Sequence, residues 1–571
     1  MISVFLSWLY IAATAFLVGY GLCALVHKTL NYPIRDIGCI VAVGLMTVTV
    51  YAQIFSLFYK VGAAANAVLV VVCAVTAVLE RRRITEALTR AWSGRSVMWK
   101  LSVVLGAAVW CFCTSRGYMH YDSDLYHAQS IRWIEEYGVV KGLGNLHVRF
   151  AYNSSFFALS ALYSMKFLTG RSLHTVNGFM ALLLWVQVLP LFCRSCRKGQ
   201  KRTVVTDFAR LGALYYLTVI YSDIVAPASD YAIMCVVFFI VIRWLELLEK
   251  QEDSAVPYAL LCVAAVYAVT LKLTAGLILL LLAKPVSMLV REKNWRDTGI
   301  YLAMGIVTAV PWLARTVLIS GYLLYPFPAL DLFDVDWKID AAKAALDAAE
   351  IRTWGRGLNN AALADLPMTQ WFSGWFGALP ATGKLLVTGD LVCVAVFVIL
   401  AVSLLCRRRS AERLLRGQIL VLAAVLVSYG FWQFSAPLLR YGYAYVLLTV
   451  TITSGILCDI LTKSFDKWQK KDMIRKITVF GICALWAFSA VKLTSLARYC
   501  CGKAGEQRYV WQQDYGSYAL ESYVVEDVTF YYPVQDDRVG YDSFPAIPRP
   551  VKIQFRGASV AEGFYPDREE R

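Results

Sequence analysis

Two carboxylates stand two residues apart in Tyr121-Asp122-Ser123-Asp124-Leu125-Tyr126-His127, directly after an apolar run from Leu101 to Cys113. Ionisable groups at the mouth of such a run are costly and mark a site. A pair at this spacing can take the proton of an attacking hydroxyl, or bind a divalent cation such as Mg or Mn through hard oxygen ligands. Asp122 and Asp124 are therefore the candidate catalytic residues, and together the candidate metal ligands. The same stretch also has a purely structural reading. Leu125, Ala128, Ile131, Ile134 and Tyr137 recur at helical spacing while His127, Arg132, Glu135 and Glu136 face elsewhere. Asp124 would then cap an amphipathic helix lying on the membrane surface. These residues alone leave both readings open.

The complementary charge comes from cations within or beside other apolar runs. Lys272 separates two short ones, Arg315 follows Trp312 inside another, and Arg440-Tyr441 opens a third. A single such cation can snorkel to the interface. Three near the same leaflet favour an anionic headgroup, and a phosphate attached to a lipid is the natural ligand there. His127, Glu135, Tyr325 and Tyr441 complete the candidate substrate-binding set, with Glu136, His147 and Arg149 behind them. Asp223 and Asp230 could join the acidic side, although helix capping explains both. Trp337, Trp354, Trp371 and Trp375 read as an interfacial aromatic belt or as platforms for sugar rings.

The elements that position these groups are membrane helices. The chain has 571 residues, 58% of them hydrophobic, and a mean hydropathy of +0.55, which excludes an ordinary soluble domain. Runs near the spanning length predict an all-α polytopic fold of about 13–14 transmembrane helices. The expected spans are about 2–26, 37–58, 61–79, 101–117, 173–192, 207–221, 231–245, 256–271, 273–288, 298–318, 385–405, 416–434, 441–461 and 477–496. The first reads as a span rather than a cleaved signal. The net charge of +16 resides in short-loop clusters, among them Arg81-Arg82-Arg83, Arg194 to Arg202, Arg407-Arg408-Arg409 and Lys463 to Lys476. Such clusters mark the cytoplasmic side, so both termini are expected outside and nucleic acid is not a partner. The apolar stretch 154–169 would break this pattern as a span, and is expected to lie on or dip into the outer leaflet. Residues 118–172, 222–230, 319–384 and 497–571 then face outward. The last carries strand-like Ser522–Val525 and Val528–Tyr532 and forms a small extramembrane domain, giving a division into 1–100, 101–496 and 497–571. Cys193 and Cys196 form a lone CxxC with no second pair for a zinc site.

An acidic motif in the first large outer loop after a span, with amphipathic helices behind it, resembles the GT-C class of membrane glycosyltransferases. An ordered set of motifs resembles, more closely, a family of bacterial polytopic membrane proteins of uncharacterised function and GT-C-like type. The set comprises the Tyr121–His127 motif, Tyr152-Asn153-Ser154-Ser155, Ser320–Pro326, Asp334–Lys338, Ala436–Gly442 and Tyr532–Tyr541. The resemblance implies a bacterial plasma-membrane enzyme of the cell envelope. It would transfer a sugar from a polyprenyl-phosphate donor to a glycan, lipid or protein acceptor at the outer face, with inversion. It also implies that a first-loop acid acts as base or helps to bind metal or acceptor, carried here onto Asp122 and Asp124. Three spans before the one feeding that loop depart from the simplest GT-C pattern. A polysaccharide polymerase or ligase, and a flippase for lipid-linked glycans, are the rival readings.

Overall fold

Within a bilayer the backbone amides find no partner but their own carbonyls, so apolar runs of spanning length fold as helices. The computed structural model describes residues 1–194, 204–406, 413–465 and 491–566. Before the acidic loop come α1 (Ile2–Leu30), α2 (Ile37–Ser56), α3 (Ala63–Leu79), α4 (Arg81–Ser93) and α5 (Val97–Ser115). The loop itself carries α6 (Ala128–Glu136), α7 (Ser155–Tyr163) and the one-turn α8 (Lys166–Thr169). Then follow α9 (Val176–Val188), α10 (Pro190–Arg194), α11 (Val204–Ile220), α12 (Ser229–Glu249), α13 (Ala255–Leu271), α14 (Ala283–Glu292) and α15 (Trp295–Ser320). Helices α16 (Ala341–Arg356) and α17 (Met368–Ala378) fill the next segment, before α18 (Ala381–Cys406), α19 (Arg413–Ser435) and α20 (Leu439–Phe465).

Among the described residues, nine helices are long and apolar enough to cross a membrane, or ten if α3 and α4, bent by 85°, count as one span. Shorter apolar helices at Val176–Phe192 and Ala255–Leu271 correspond to two more expected segments. The protein is an all-α polytopic membrane protein with a small C-terminal domain of short strands. Most of the expected span 477–496, Cys196 of the CxxC pair, and the clusters at 407–409 and 467–476 lie outside the described residues.

The stretch 154–169 has two parts: α7 is enclosed by protein, whereas Phe167 and Leu168 of α8 are exposed. Every residue of α7 is buried, packed against α2 and α6. A helix apolar on all sides has no face to turn towards water, and the protein interior takes it up. Ser154 caps its start, with Oγ 3.3 Å from the Phe156 amide, and Asn66 Nδ2 donates to the Leu162 carbonyl near its end at 3.0 Å. Helix α6 departs from the interfacial reading too. Its apolar face is buried as expected, but so are Gln129 and Glu135 on the other side.

The C-terminal domain covers that polar side. Strands β1 (Leu520–Val525) and β2 (Val528–Pro533) pair antiparallel with Leu520 opposite Pro533, and β3 (Gln554–Phe555) pairs with β4 (Phe564–Tyr565). Trp133, Leu143 and Phe150 of the acidic loop share a second hydrophobic core with Tyr322, Phe530, Ile547 and Phe564. The segment before these strands also meets the start of the chain. The Met1 amino group donates to the Arg508 carbonyl at 2.8 Å, and the Ile2 amide to the Tyr509 carbonyl at 2.9 Å. The beginning of α1 thus lies at the end of the bundle that carries the C-terminal domain.

Candidate functional site

Four helix ends meet beside the acidic loop. Asp122 follows α5, Asp230 is the second residue of α12, Lys272 ends α13, and Arg440 is the second residue of α20. Two indoles fix the turn that delivers Arg440: Trp375 Nε1 donates to the Pro437 carbonyl and Trp432 Nε1 to the Leu438 carbonyl, both at 2.8 Å. The Tyr118 amide donates to the Ser222 carbonyl at 2.7 Å, which ties the loop to the turn before α12. Gly117 permits that approach, since a Cβ there would meet the Ser222 oxygen at 2.2 Å. At Lys272 the backbone turns extended (φ −159°, ψ 128°), breaking the apolar run into two short helical pieces as the sequence implied.

The side chains converge as an alternating charge cluster. Arg440 Nη2 lies 2.5 Å from Asp122 Oδ2 and donates to the Tyr441 hydroxyl at 2.9 Å. Its Nε is 3.4 Å from Asp230 Oδ2, at an angle that leaves the N–H without a hydrogen-bond acceptor. Lys272 pairs with the other Asp230 oxygen, and its ammonium sits 3.5 Å over the Tyr441 ring. Arg149 approaches Asp122 Oδ1 at 3.9 Å. His120 Nδ1 accepts from the Asp122 amide at 3.1 Å, 3.5 Å from the Asp122 carboxylate. The side chains of His120, Asp122, Asp230, Lys272 and Arg440 are between 9% and 25% exposed, open to a ligand yet poor in water. Burial and the neighbouring Arg440 hold the His120 imidazole below its usual range. Burial alone would raise the Asp122 carboxyl, but Arg440, His120, His127 and Arg149 together keep it below the ordinary carboxylate value. Arg440, Lys272 and, more distantly, Arg149 face the Asp122 and Asp230 carboxylates, and the Arg440 Nε–H keeps an unspent donor.

Asp124 stands apart from this cluster and is not a helix cap. Its carboxylate accepts from the Gly516 amide at 3.0 Å and the Tyr518 hydroxyl at 2.8 Å, and its carbonyl accepts from the Val539 and Gly540 amides at 2.9 Å. Burial raises its carboxyl. Asp122 is held by arginine and Asp124 by the C-terminal domain, and among the described residues no three His, Cys, Asp or Glu side chains converge on a point that could hold a metal ion.

The other candidate residues separate in the same way. Tyr441 belongs to the cluster. Asp230 serves it as an ion-pair partner, the side-chain cap being absent from α12. Arg315 is buried between Asn153 Oδ1, at 3.0 Å, and Ser56 Oγ, away from the cluster's carboxylates. Glu135 accepts from Ser172 at 3.0 Å and from Tyr541, joining α6 to the C-terminal domain. His127 lies behind Asp122, with Nδ1 3.3 Å from Ser123 Oγ and its ring 5.2 Å from Phe157, and burial pushes it down to about 3. Trp371 and Trp375 are buried in the support of α20, and Trp354 is exposed. Trp337 donates to the Val317 carbonyl at 3.0 Å.

A family model described as a domain of unknown function, DUF8201, matches residues 1–447. The chain belongs to the DUF8201 family. No curated protein and no solved structure is detectably similar to it. The DUF8201 region contains every member of the charge cluster, whereas Gly516 and Tyr518, which hold Asp124, lie beyond it. The family description names no activity for this DUF8201 protein.

Two further acids were not among the sequence candidates. Asp347 of α16 accepts from Tyr152 at 2.5 Å and Tyr325 at 3.1 Å, which joins the acidic loop to the 319–384 segment. Burial, opposed by these bonds, pushes its carboxyl up to about 6 from 3.8. A carboxyl that binds its proton more tightly when folded stabilises the fold below the unfolded value, and that contribution disappears as pH rises through about 6. Thermal stability should therefore fall from pH 4 to pH 7 by about 2 kcal/mol from this group. Melting curves of Asp347→Asn beside the native protein check this; equal slopes would refute it.

Asp390 sits inside α18 with both carboxylate oxygens buried and without a hydrogen-bond partner among the described residues. Its sequence signal was plain: one acid within an apolar run. Replacing it by leucine removes an uncompensated polar group, and should raise stability by about 2 kcal/mol. A lower melting temperature in that variant would show that Asp390 has a partner.

Proposed function

We propose that this protein is a membrane glycosyltransferase that moves a sugar from a polyprenyl-phosphate donor to an acceptor at the outer face of a bacterial plasma membrane. The observation that carries the reading is the Asp122–Arg440–Asp230–Lys272 cluster, in which a buried guanidinium N–H without an acceptor stands beside the Lys272 ammonium. A phosphate at the membrane surface matches both, because charge-assisted bonds from a guanidinium fork suit its geometry. Without ligand, Arg440 neutralises Asp122. A donor phosphate that takes over Arg440 would loosen this pair and make Asp122 more basic. Asp122 then accepts the proton of the acceptor hydroxyl as that oxygen bonds to the anomeric carbon. The bond from that carbon to the phosphate oxygen breaks, and Arg440 and Lys272 stabilise the negative charge on the departing phosphate. One displacement inverts the anomeric configuration. Asp124, in this reading, holds the C-terminal domain over the loop, and no step requires a metal.

The test is purified protein with labelled polyprenyl-phosphate sugars and separated products. Transfer that needs Asp122 and Arg440 supports the reading. A broad donor panel left unconverted while lipid-linked sugar crosses a vesicle membrane would favour transport instead. The unpartnered Asp390 within a span is the observation on that side.

A further inference from the structure

The opposite end of the bundle holds a second feature, independent of the charge cluster. Helix α1 has 29 residues, about 43 Å of helix, so its C-terminal end lies a bilayer's width from the C-terminal domain. There, the end of α1, the start of α2, and helices α4 and α5 enclose a cavity of about 2350 Å³. The 85° bend between α3 and α4 lays α4 across the bundle instead of along it, which leaves the space open.

The lining has two parts. Leu25, Leu88, Met98, Val103, Leu183 and Val186 form an apolar wall. The other part is charged, with seven Lys and Arg side chains against four carboxylates. All four carboxylates are engaged. Glu80 pairs with Arg83 at 3.1 Å, Glu86 with Arg90 at 3.9 Å, and Glu246 with Arg243 at 2.9 Å, while Asp36 caps α2 through the Cys39 amide at 3.0 Å. Lys28, Arg35 and Arg95 are left, exposed and without a carboxylate partner among the described residues. Arg95 lies 5.0 Å over the Trp99 ring, and Lys100 covers Trp92 at 5.2 Å. Indoles of this kind sit at headgroup depth in membranes.

We propose that this cavity binds an anionic phospholipid of the bilayer, with its phosphate held by Lys28, Arg35 and Arg95 and its chains along the apolar wall. Charge complementarity selects the occupant: a zwitterionic headgroup brings its own cation and gains little from three unpaired ones, whereas free phosphate cannot use the apolar wall. The volume exceeds that of ordinary small-molecule pockets, as a lipid requires.

The full chain, reconstituted in phosphatidylcholine vesicles doped with brominated phosphatidylglycerol or brominated phosphatidylcholine, provides the test. The quenched signal is the part of the tryptophan fluorescence lost in the W92F/W99F variant. Brominated phosphatidylglycerol should quench that part preferentially, and saturating inorganic phosphate should leave the quenching in place. With roughly fivefold in binding per cation, K28A/R35A/R95A should lose about a hundredfold of the preference. The charge-preserving K28R/R35K/R95K should keep most of it, which separates lost binding from lost folding. Equal quenching by the two lipids, a preference that survives the triple alanine variant, or displacement by inorganic phosphate would each overturn the proposal.

Discussion

Arg440→Ala should reduce sugar transfer by at least about a thousandfold, the loss expected when a charge-stabilising group leaves a water-poor site. The guanidinium touches Asp122 at 2.5 Å and Asp230 at 3.4 Å, so its removal takes the nearest counter-charge from one carboxylate and one of two from the other. Some stability is lost as well, because two partly buried acids are left with weaker partners. Activity and stability can be separated. Arg440→Lys preserves the charge and abolishes the fork, so it should recover folding while transfer remains down by about a hundredfold. Asp122→Asn removes the proton acceptor and leaves a side chain of the same shape beside Arg440. It should lose transfer to a similar degree with little change in donor affinity, and rates in Asp122→Glu should retain a pH dependence. Equal activity of native and Arg440→Ala protein, measured with one labelled donor, would remove the cluster from the mechanism.

Gln129→Ala should be the most destabilising single change at the junction with the C-terminal domain. The side chain is buried and makes three bonds to that domain. Nε2 donates to the Gly540 carbonyl at 3.0 Å and the Ser543 carbonyl at 2.9 Å, and Oε1 accepts from the Ala546 amide at 3.2 Å. Alanine leaves two buried backbone groups and one partly buried group without these partners, a loss of about 3 kcal/mol. Neighbouring contacts cannot take them over, since Arg132 is already committed to the Tyr541 carbonyl at 2.5 Å and Glu135 to Tyr541. The membrane helices do not depend on these bonds. Limited proteolysis should therefore release fragments cut near 500–566 from the variant while the helical core stays intact. Identical digestion of variant and native protein would contradict this.

The legible part of the site was the part announced by charge. Asp122, Lys272 and Arg440 each interrupt or border an apolar run, where an ionisable group needs a reason to exist, and all three meet in one cluster. Asp230 gave the same signal, but the capping explanation hid its ion pairs with Lys272 and Arg440. Asp124 was indistinguishable from Asp122 by local sequence, because the partners that separate them, Gly516 and Tyr518, come almost four hundred residues later. The burial of α7 was hidden for a related reason: hydropathy reports that a segment avoids water without saying whether lipid or protein surrounds it. Along α6 the helical period was correct. Only the C-terminal domain shows that its polar face is covered, with Gln129 fully buried. Asp390 was readable as a lone acid in a span, and only the burial of both its oxygens makes it conspicuous.

The most direct measurement is transfer of a labelled sugar from a polyprenyl-phosphate donor by purified Asp122→Asn and Asp124→Asn proteins, each corrected for its folded fraction. The account predicts that Asp122→Asn is inactive, while Asp124→Asn loses stability of the C-terminal domain yet transfers at a rate near that of native protein. Transfer that persists in Asp122→Asn, or is lost only in Asp124→Asn, would contradict it.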